Sequence, residues 1–355
     1  MGDLVRSLRT IGIGDRPVAG GKGASLGELT RAGFRVPPGF VVTTHAFERA
    51  LGALGSLDTR REVAGLSPDD HDAIVRVTAA VRERIASGSL PDGLGAAIED
   101  HYRLLWDGPP GPVAVRSSAT SEDGSDASFA GLQDTYLWVR GPRAVADHVR
   151  KCWASLYSVE SVAYRRRLGL SEEALGMGVV VQRMVDPRCS GVMFTRSPTT
   201  GDPSVVAVEG SWGLGSAIVS GDVTPDTFVV SKVTGDIIKQ TVADKLHKHS
   251  MAPGGDGVLV EDVPASLRGE PCLPDDEIHA LVRLARRVEE HYGAPQDIEW
   301  AITGEPREAP PEQRIFLLQS RPETVWANRD AAPLAVPKRH AFDHVFDLLG
   351  KGFSS

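Results

Sequence analysis

Cysteine is scarce in this chain. Cys152, Cys189 and Cys272 are the only three among 355 residues. An odd number so widely spaced fits neither a disulfide framework nor a zinc-ligand pattern. A reducing, cytoplasmic setting is therefore expected. Long apolar runs are also missing. None reaches bilayer-spanning length, and Arg6, Arg9 and Asp15 break up the start of the chain where a secretory leader needs an unbroken apolar stretch. No membrane partner is expected. Nor is basic charge in excess: 39 Lys and Arg against 47 Asp and Glu leave a net charge of −8, which argues against a general nucleic-acid partner. What remains, 41% hydrophobic and 24% charged, is ordinary globular composition, in a chain long enough for two domains or subdomains.

Two common nucleotide signatures are absent as well. Gly20-Gly21-Lys22-Gly23 sets a lysine at a glycine-rich helix start, an arrangement suited to anions. Yet Arg16 stands where a Walker A motif needs its first glycine, and Gly23 follows the lysine. A flexible turn with a solvated lysine is the plainer alternative. Gly213-Leu214-Gly215 lacks the third glycine of a dinucleotide-binding turn, so a Rossmann crossover is a poor fit.

The most informative stretch is Val113 to Gly131. A short apolar strand, Val113 to Val115, ends at Arg116, and fifteen mostly small, hydroxylic or acidic residues follow. Small residues let a backbone approach a ligand and donate N–H groups to phosphate oxygens. The arginine adds a fork of donors at the mouth. The same composition also suits a surface loop.

Around it, Leu26 and Leu29 mark a helix after the glycine-rich turn, with Gly33 as its stop, and Phe40 to Thr43 a strand. Residues 45–107 read as helices broken near Gly55–Ser56 and Gly88–Asp92. Residues 143–168 read as one long helix with Val145, Val149, Cys152, Trp153, Leu156, Val159 and Ala163 on its apolar stripe, and with Arg165, Arg166 and Arg167 as a solvated end. From Gly178 onward short β-rich segments cluster, including Ser190 to Thr195, Val205 to Glu209, Thr227 to Ser231 and Asp236 to Gln240. These imply an antiparallel sheet. Met251 to Gly257 reads as a loop and Asp275 to Tyr292 as a helix ended by Gly293. In Asp297-Ile298-Glu299-Trp300-Ala301-Ile302, period-two alternation puts both carboxylates on one strand face. With Gln319 on a neighbouring strand, three hard oxygen ligands converge, a set suited to Mg²⁺. A charged outer sheet face is the other reading.

Taken in order, Gly-Gly-Lys-Gly-Ala-Ser-Leu-Gly-Glu (20–28), Val-Pro-Pro-Gly-Phe (36–40), Val-Arg-Ser-Ser-Ala-Thr-Ser-Glu-Asp (115–123), Ala-Ser-Phe-Ala-Gly (127–131), Val-Gln-Arg-Met-Val (181–185), Ser-Gly-Val-Met-Phe-Thr (190–195), Asp-Ile-Glu-Trp (297–300) and Leu-Gln-Ser-Arg-Pro (318–322) resemble the ATP-binding domain of the phosphoenolpyruvate synthase, pyruvate phosphate dikinase and rifampin phosphotransferase family. The resemblance implies an α+β, ATP-grasp fold: an N-terminal lobe over 1–185, a C-terminal lobe over 186–326, and a tail or docking arm over 327–355. It implies that Lys22 and Arg116 hold phosphates, that Ser128, Phe129, Ala130 and Gly131 close over them, and that Gln182, Arg183 and Met184 meet adenine. Glu209 reaches the ribose. Glu299 and Gln319, with Asp297 beside them, hold Mg²⁺, and Arg321 stabilises charge on the transferring phosphates.

Full-length members of that family pass phosphate through a histidine on a swivelling domain. None of the ten histidines here sits in such a motif. The expectation is therefore a subunit of a phenylphosphate synthase-type split dikinase. It would use Mg·ATP to phosphorylate a histidine-bearing partner subunit and release AMP, with a phenol, held mainly by the partner, as final acceptor. A non-catalytic nucleotide-binding module, or the ATP domain of a phosphoenolpyruvate synthase or rifampin phosphotransferase, are the alternatives.

Overall fold

The computed structural model describes residues 2–121, 123–124, 127–128, 134–173, 175–252, 257–304, 306 and 308–326. Its strands up to residue 183 are β1 (Val5–Ser7), β2 (Gly39–Val42), β3 (Val113–Ala119), β4 (Asp123–Gly124), β5 (Ala127–Ser128), β6 (Thr135–Val139) and β7 (Met177–Arg183). β4 and β5 pair with each other; the rest form an antiparallel sheet ordered β1-β2-β7-β3-β6. β7 lies at its centre, which explains the unbroken valine run Val179–Val181: a strand covered on both faces gains nothing from alternation.

The second sheet is also antiparallel. It contains β8 (Pro187–Phe194), β9 (Val205–Trp212), β10 (Asp226–Ser231) and β11 (Ile237–Thr241). A separate hairpin follows, β12 (His247–Met251) with β13 (Val258–Asp262), before β14 (Gln296–Thr303) and β15 (Ile315–Pro322) complete the sheet in the order β11-β10-β9-β8-β14-β15.

Helix α1 (Arg16–Arg31) connects both sheets. Leu26 packs with Leu8, Ile11, Val41 and Val180, against the first sheet. Leu29, one turn on, belongs with Phe34 to the core of the second. The Ser25 hydroxyl donates to the Ser320 carbonyl on β15 (2.6 Å). α2 (Thr44–Ala53), α3 (Ser56–Ala64), α4 (His71–Ser87), α5 (Leu94–Leu104), α6 (Pro142–Ser155) and α7 (Val159–Leu168) accompany the first sheet. α8 (Ser216–Val219) and α9 (Ala265–Arg268) are single turns, and α10 (Asp275–Tyr292) covers the second core. Three acidic residues open α10 and a left-handed Gly293 closes it, as the helix dipole and terminal carbonyls favour. Among the described residues no helix is long and apolar enough to cross a membrane.

Three local expectations are corrected. The helix over 143–168 is two helices. α6 ends at Ser155, and the Ser158 hydroxyl accepts from the Ser161 N–H (3.1 Å), capping a new helix at Val159. A hydroxyl that satisfies a backbone donor makes the break cheap, and apolar spacing across it does not reveal the turn. Arg165 is not a solvated helix end. It is fully buried, donating from Nε and Nη2 to both oxygens of Glu172 and from Nη1 to the Leu156 carbonyl. Nor is Gly20 in a turn that precedes the helix. α1 begins at Arg16, and Gly20 breaks it from within at φ +72°.

Candidate functional site

A cleft of about 380 Å³ lies between the sheets. Ala114 and Arg116 of β3, Thr135 and Leu137 of β6, and Gln182 and Arg183 of β7 form one wall; Gly191 and Val192 of β8, Glu299 of β14 and Leu318 of β15 form the other. Met184 and Val185 close the end where the chain passes from one sheet to the next.

Arg116 is the central side chain. It is 8% exposed, yet its guanidinium extends across to the second sheet. Nη1 donates to the Leu318 carbonyl (2.8 Å), and Nη2 to Glu299 Oε2 (3.0 Å) and Gln319 Oε1 (2.6 Å). Glu299 and Gln319 stand directly opposite each other on β14 and β15. The same register runs on through Val192 to Glu209 and Thr227, which puts Glu209 on the cleft-side row of that sheet, two strands from Glu299. Burial raises the Glu209 carboxyl above its ordinary pKa.

Asp297 pairs with Arg321 across the same two strands, and Arg321 Nε lies 3.3 Å from Asp297 Oδ2. Oδ1 is buried with no hydrogen-bond partner among the described residues. Burial pushes the Asp297 carboxyl up to about 6, with Glu323 adding to the rise and Arg321 opposing it. An orphaned acidic oxygen beside a carboxylate and an amide oxygen suits a small hard cation. Among the described residues, no group of three or more His, Cys, Asp or Glu forms a metal site on its own. Mg²⁺ at Glu299, Gln319 and Asp297 would therefore draw further ligands from phosphate oxygens and water.

The Asp297 shift has a measurable consequence. A folded-state pKa above the ordinary value of 3.8 means that the native protein holds this proton more firmly than the unfolded chain. The associated stability is present below pH 4 and is lost as pH rises through 6, by roughly 2–3 kcal/mol. Asp297→Asn is expected to melt above the parent at pH 8, with the gap closing toward pH 5. A variant that melts below the parent at pH 8 would show that the charged form is favoured here.

Lys22 follows the Gly20 break on α1 and is half-buried. Ser118, which the sequence reading did not single out, holds that break: its hydroxyl donates to the Ala19 carbonyl (2.8 Å) and accepts from the Gly23 N–H (3.0 Å). Gln182 and Arg183 border the cleft, but their polar ends are engaged elsewhere. Gln182 Nε2 donates to the Pro37 carbonyl (3.1 Å), while the Arg183 guanidinium lies 4.4 Å from the centre of the Trp106 ring. Ser128 lies on β5, opposite Asp123. Phe129, Ala130, Gly131 and the segment from 327 lie outside the described residues. Two further contributors were not singled out: the Leu318 carbonyl, and Gly215 and Ser216, where the start of α8 reaches the cleft.

Two antiparallel sheets, a cleft between them, and cationic and acidic side chains meeting across it describe an α+β fold of the ATP-grasp kind. The family described as "Pyruvate phosphate dikinase, AMP/ATP-binding domain" matches residues 16–341, and the chain belongs to that family. It is 43% identical over 325 residues to a probable phosphoenolpyruvate synthase of Methanothermobacter thermautotrophicus, covering 90% of this chain and 46% of that protein. It is 42% identical over 325 residues to a rifampicin phosphotransferase of Streptomyces sviceus (90% and 36% covered). It is 41% identical over 352 residues to a phosphoenolpyruvate synthase of Aeropyrum pernix (90% and 42% covered). The chain thus spans less than half the length of these relatives.

Proposed function

We propose that this chain binds Mg·ATP between two lobes, residues 1–185 and 186–326, and transfers its β- and γ-phosphates as one unit to a histidine of a partner, releasing AMP. The pyrophosphorylated histidine then loses orthophosphate to water. The remaining phosphoryl group passes to a small acceptor bound mainly by the partner, for which a phenol is the first candidate. The observation that carries this reading is the meeting of Arg116 with Glu299 and Gln319 across the cleft, in a chain of the ATP-binding family.

Phosphoryl transfer asks mainly for positioning and charge neutralisation. Lys22 and Arg116 would hold the phosphates from the first sheet, and Arg321 would stabilise charge on the groups in flight. Glu299, Gln319 and Asp297 would hold Mg²⁺, which would neutralise charge between the phosphates. The walls of the cleft are largely apolar, which suits a purine face with water excluded. Glu209, on the same row of the second sheet as Glu299, would accept from a ribose hydroxyl.

The assay is AMP against ADP release by the native complex captured from its source. Phenol, pyruvate and rifampicin are offered in turn, the last two because of the relatives' names. Partner-dependent AMP stimulated by phenol is the expected result. Glu299→Gln should lower it about a hundredfold, as loss of one charge-stabilising group typically does. Stimulation by pyruvate or rifampicin alone would reassign the acceptor. ATP bound without turnover, even with every cognate protein present, would leave a nucleotide-binding module.

A further inference from the structure

We propose that Arg116 acts as a latch: it occupies the oxygens that the metal ion needs, and it must release Glu299 and Gln319 before that ion binds. The inference rests on the Mg·ATP reading above.

The geometry is that of a cation already in place. One guanidinium, carried on the first sheet, meets a carboxylate oxygen, an amide oxygen and a main-chain carbonyl of the second, all within 3.0 Å. Glu299 and Gln319 are the ligands best placed for the metal, because they face each other across one register position. A dication competes with Arg116 for them. The N–H groups already use a lone pair on Glu299 Oε2 and one on Gln319 Oε1, and the like charges repel at contact distance. The latch also leaves Arg116 incompletely satisfied, since its buried Nε has no hydrogen-bond partner among the described residues. A phosphate entering beside β3 offers that donor an acceptor and draws the guanidinium away from Glu299. Phosphate therefore creates the metal site by removing the latch, and metal in turn favours phosphate, because coupling between two sites is reciprocal. The tie between the sheets is exchanged for one through the ligand at the moment of loading.

The test uses Mn²⁺ alone as an electron-spin-resonance probe, titrated into the whole protein without nucleotide. Thermal melting shows that each variant is folded. The wild type should bind weakly, and Arg116→Gln more tightly by about tenfold or more, within the usual range of coupling between sites. Arg116→Lys should also gain affinity, because a single ammonium cannot hold three oxygens in the fixed fork of a guanidinium. That variant decides the matter if Arg116→Gln does not fold. Adding Glu299→Gln to either variant should remove the gain. If the Arg116 variants bind Mn²⁺ no better than wild type, while Glu299→Gln still weakens that binding, the latch is wrong and the metal site stands. If Glu299→Gln changes Mn²⁺ binding in no background, the metal-site reading fails and the latch falls with it.

Discussion

Asp226→Ala is expected to cost about 3–5 kcal/mol of folding stability, the range for breaking a buried ion pair by removing one partner. Asp226 and Lys245 have no exposed side-chain surface, and the ammonium lies 2.6 Å from Oδ1. Oδ1 also accepts from the Ala243 N–H (2.9 Å), and Oδ2 from the Cys272 N–H (2.8 Å). Alanine would strand a buried charge and two backbone donors at once, at the point where β10, the approach to the β12–β13 hairpin and the approach to α10 meet. Denaturant melts read the loss directly. Replacing both members, as in Asp226→Leu with Lys245→Met, should recover the part due to the stranded charge, while the Ala243 and Cys272 N–H groups still lack the Asp226 acceptor. A loss below about 1 kcal/mol for the single variant would place this site among exposed ion pairs instead.

Gly20→Ala should be nearly as damaging. The backbone conformation at φ +72°, ψ 177° is one that essentially only glycine adopts, and it costs an alanine about 1–3 kcal/mol. Its Cβ would also overlap the Ser118 carbonyl oxygen and hydroxyl, and forced displacement in a packed interior typically adds about 1–3 kcal/mol. Ser118 is the residue that ties Ala19 to Gly23. The same substitution should therefore shift Lys22 and weaken nucleotide binding as well as stability. Gly95→Ala is the control: it lies in the first turn of α5 with nothing among the described residues near the added methyl group, and should leave stability within about 0.5 kcal/mol of the parent or raise it. Equal effects at the two glycines would falsify the account of the break in α1.

Both variants bear on what could be read from residues alone. Alternation in residues 297–302 was sufficient to put Asp297 and Glu299 on one face, because a period of two leaves a strand only two faces. The helix ended by Gly293 was equally legible, since its stripe and its stop agree. The break at 156–158 was hidden because the apolar stripe continues past it; Ser158 starts the second helix through a single hydrogen bond. Arg165 lay in a run of three arginines, and the feature that buries it, Glu172, sits beyond the helix end. The hairpin of β12 and β13 was not anticipated. His247, Lys248, His249 and Ser250 carry no apolar alternation, and β13 is largely exposed. The contacts of Arg116 span about two hundred residues of sequence and include a main-chain carbonyl, a group that every residue has and that therefore gives no signal.

The bridging position of α1 also constrains how the chain folds. Leu29 and Phe34 belong to a core whose other members come from residues 189–317, and the Leu317 N–H donates to the Arg35 carbonyl (2.9 Å). During synthesis one flank of this early helix therefore stays uncovered until nearly three hundred further residues have emerged. Contacts of such long sequence separation form late and slowly. In the interval the exposed leucine and phenylalanine are surfaces for chaperones or for aggregation, so the yield of folded protein should depend on how quickly β15 arrives to cover them.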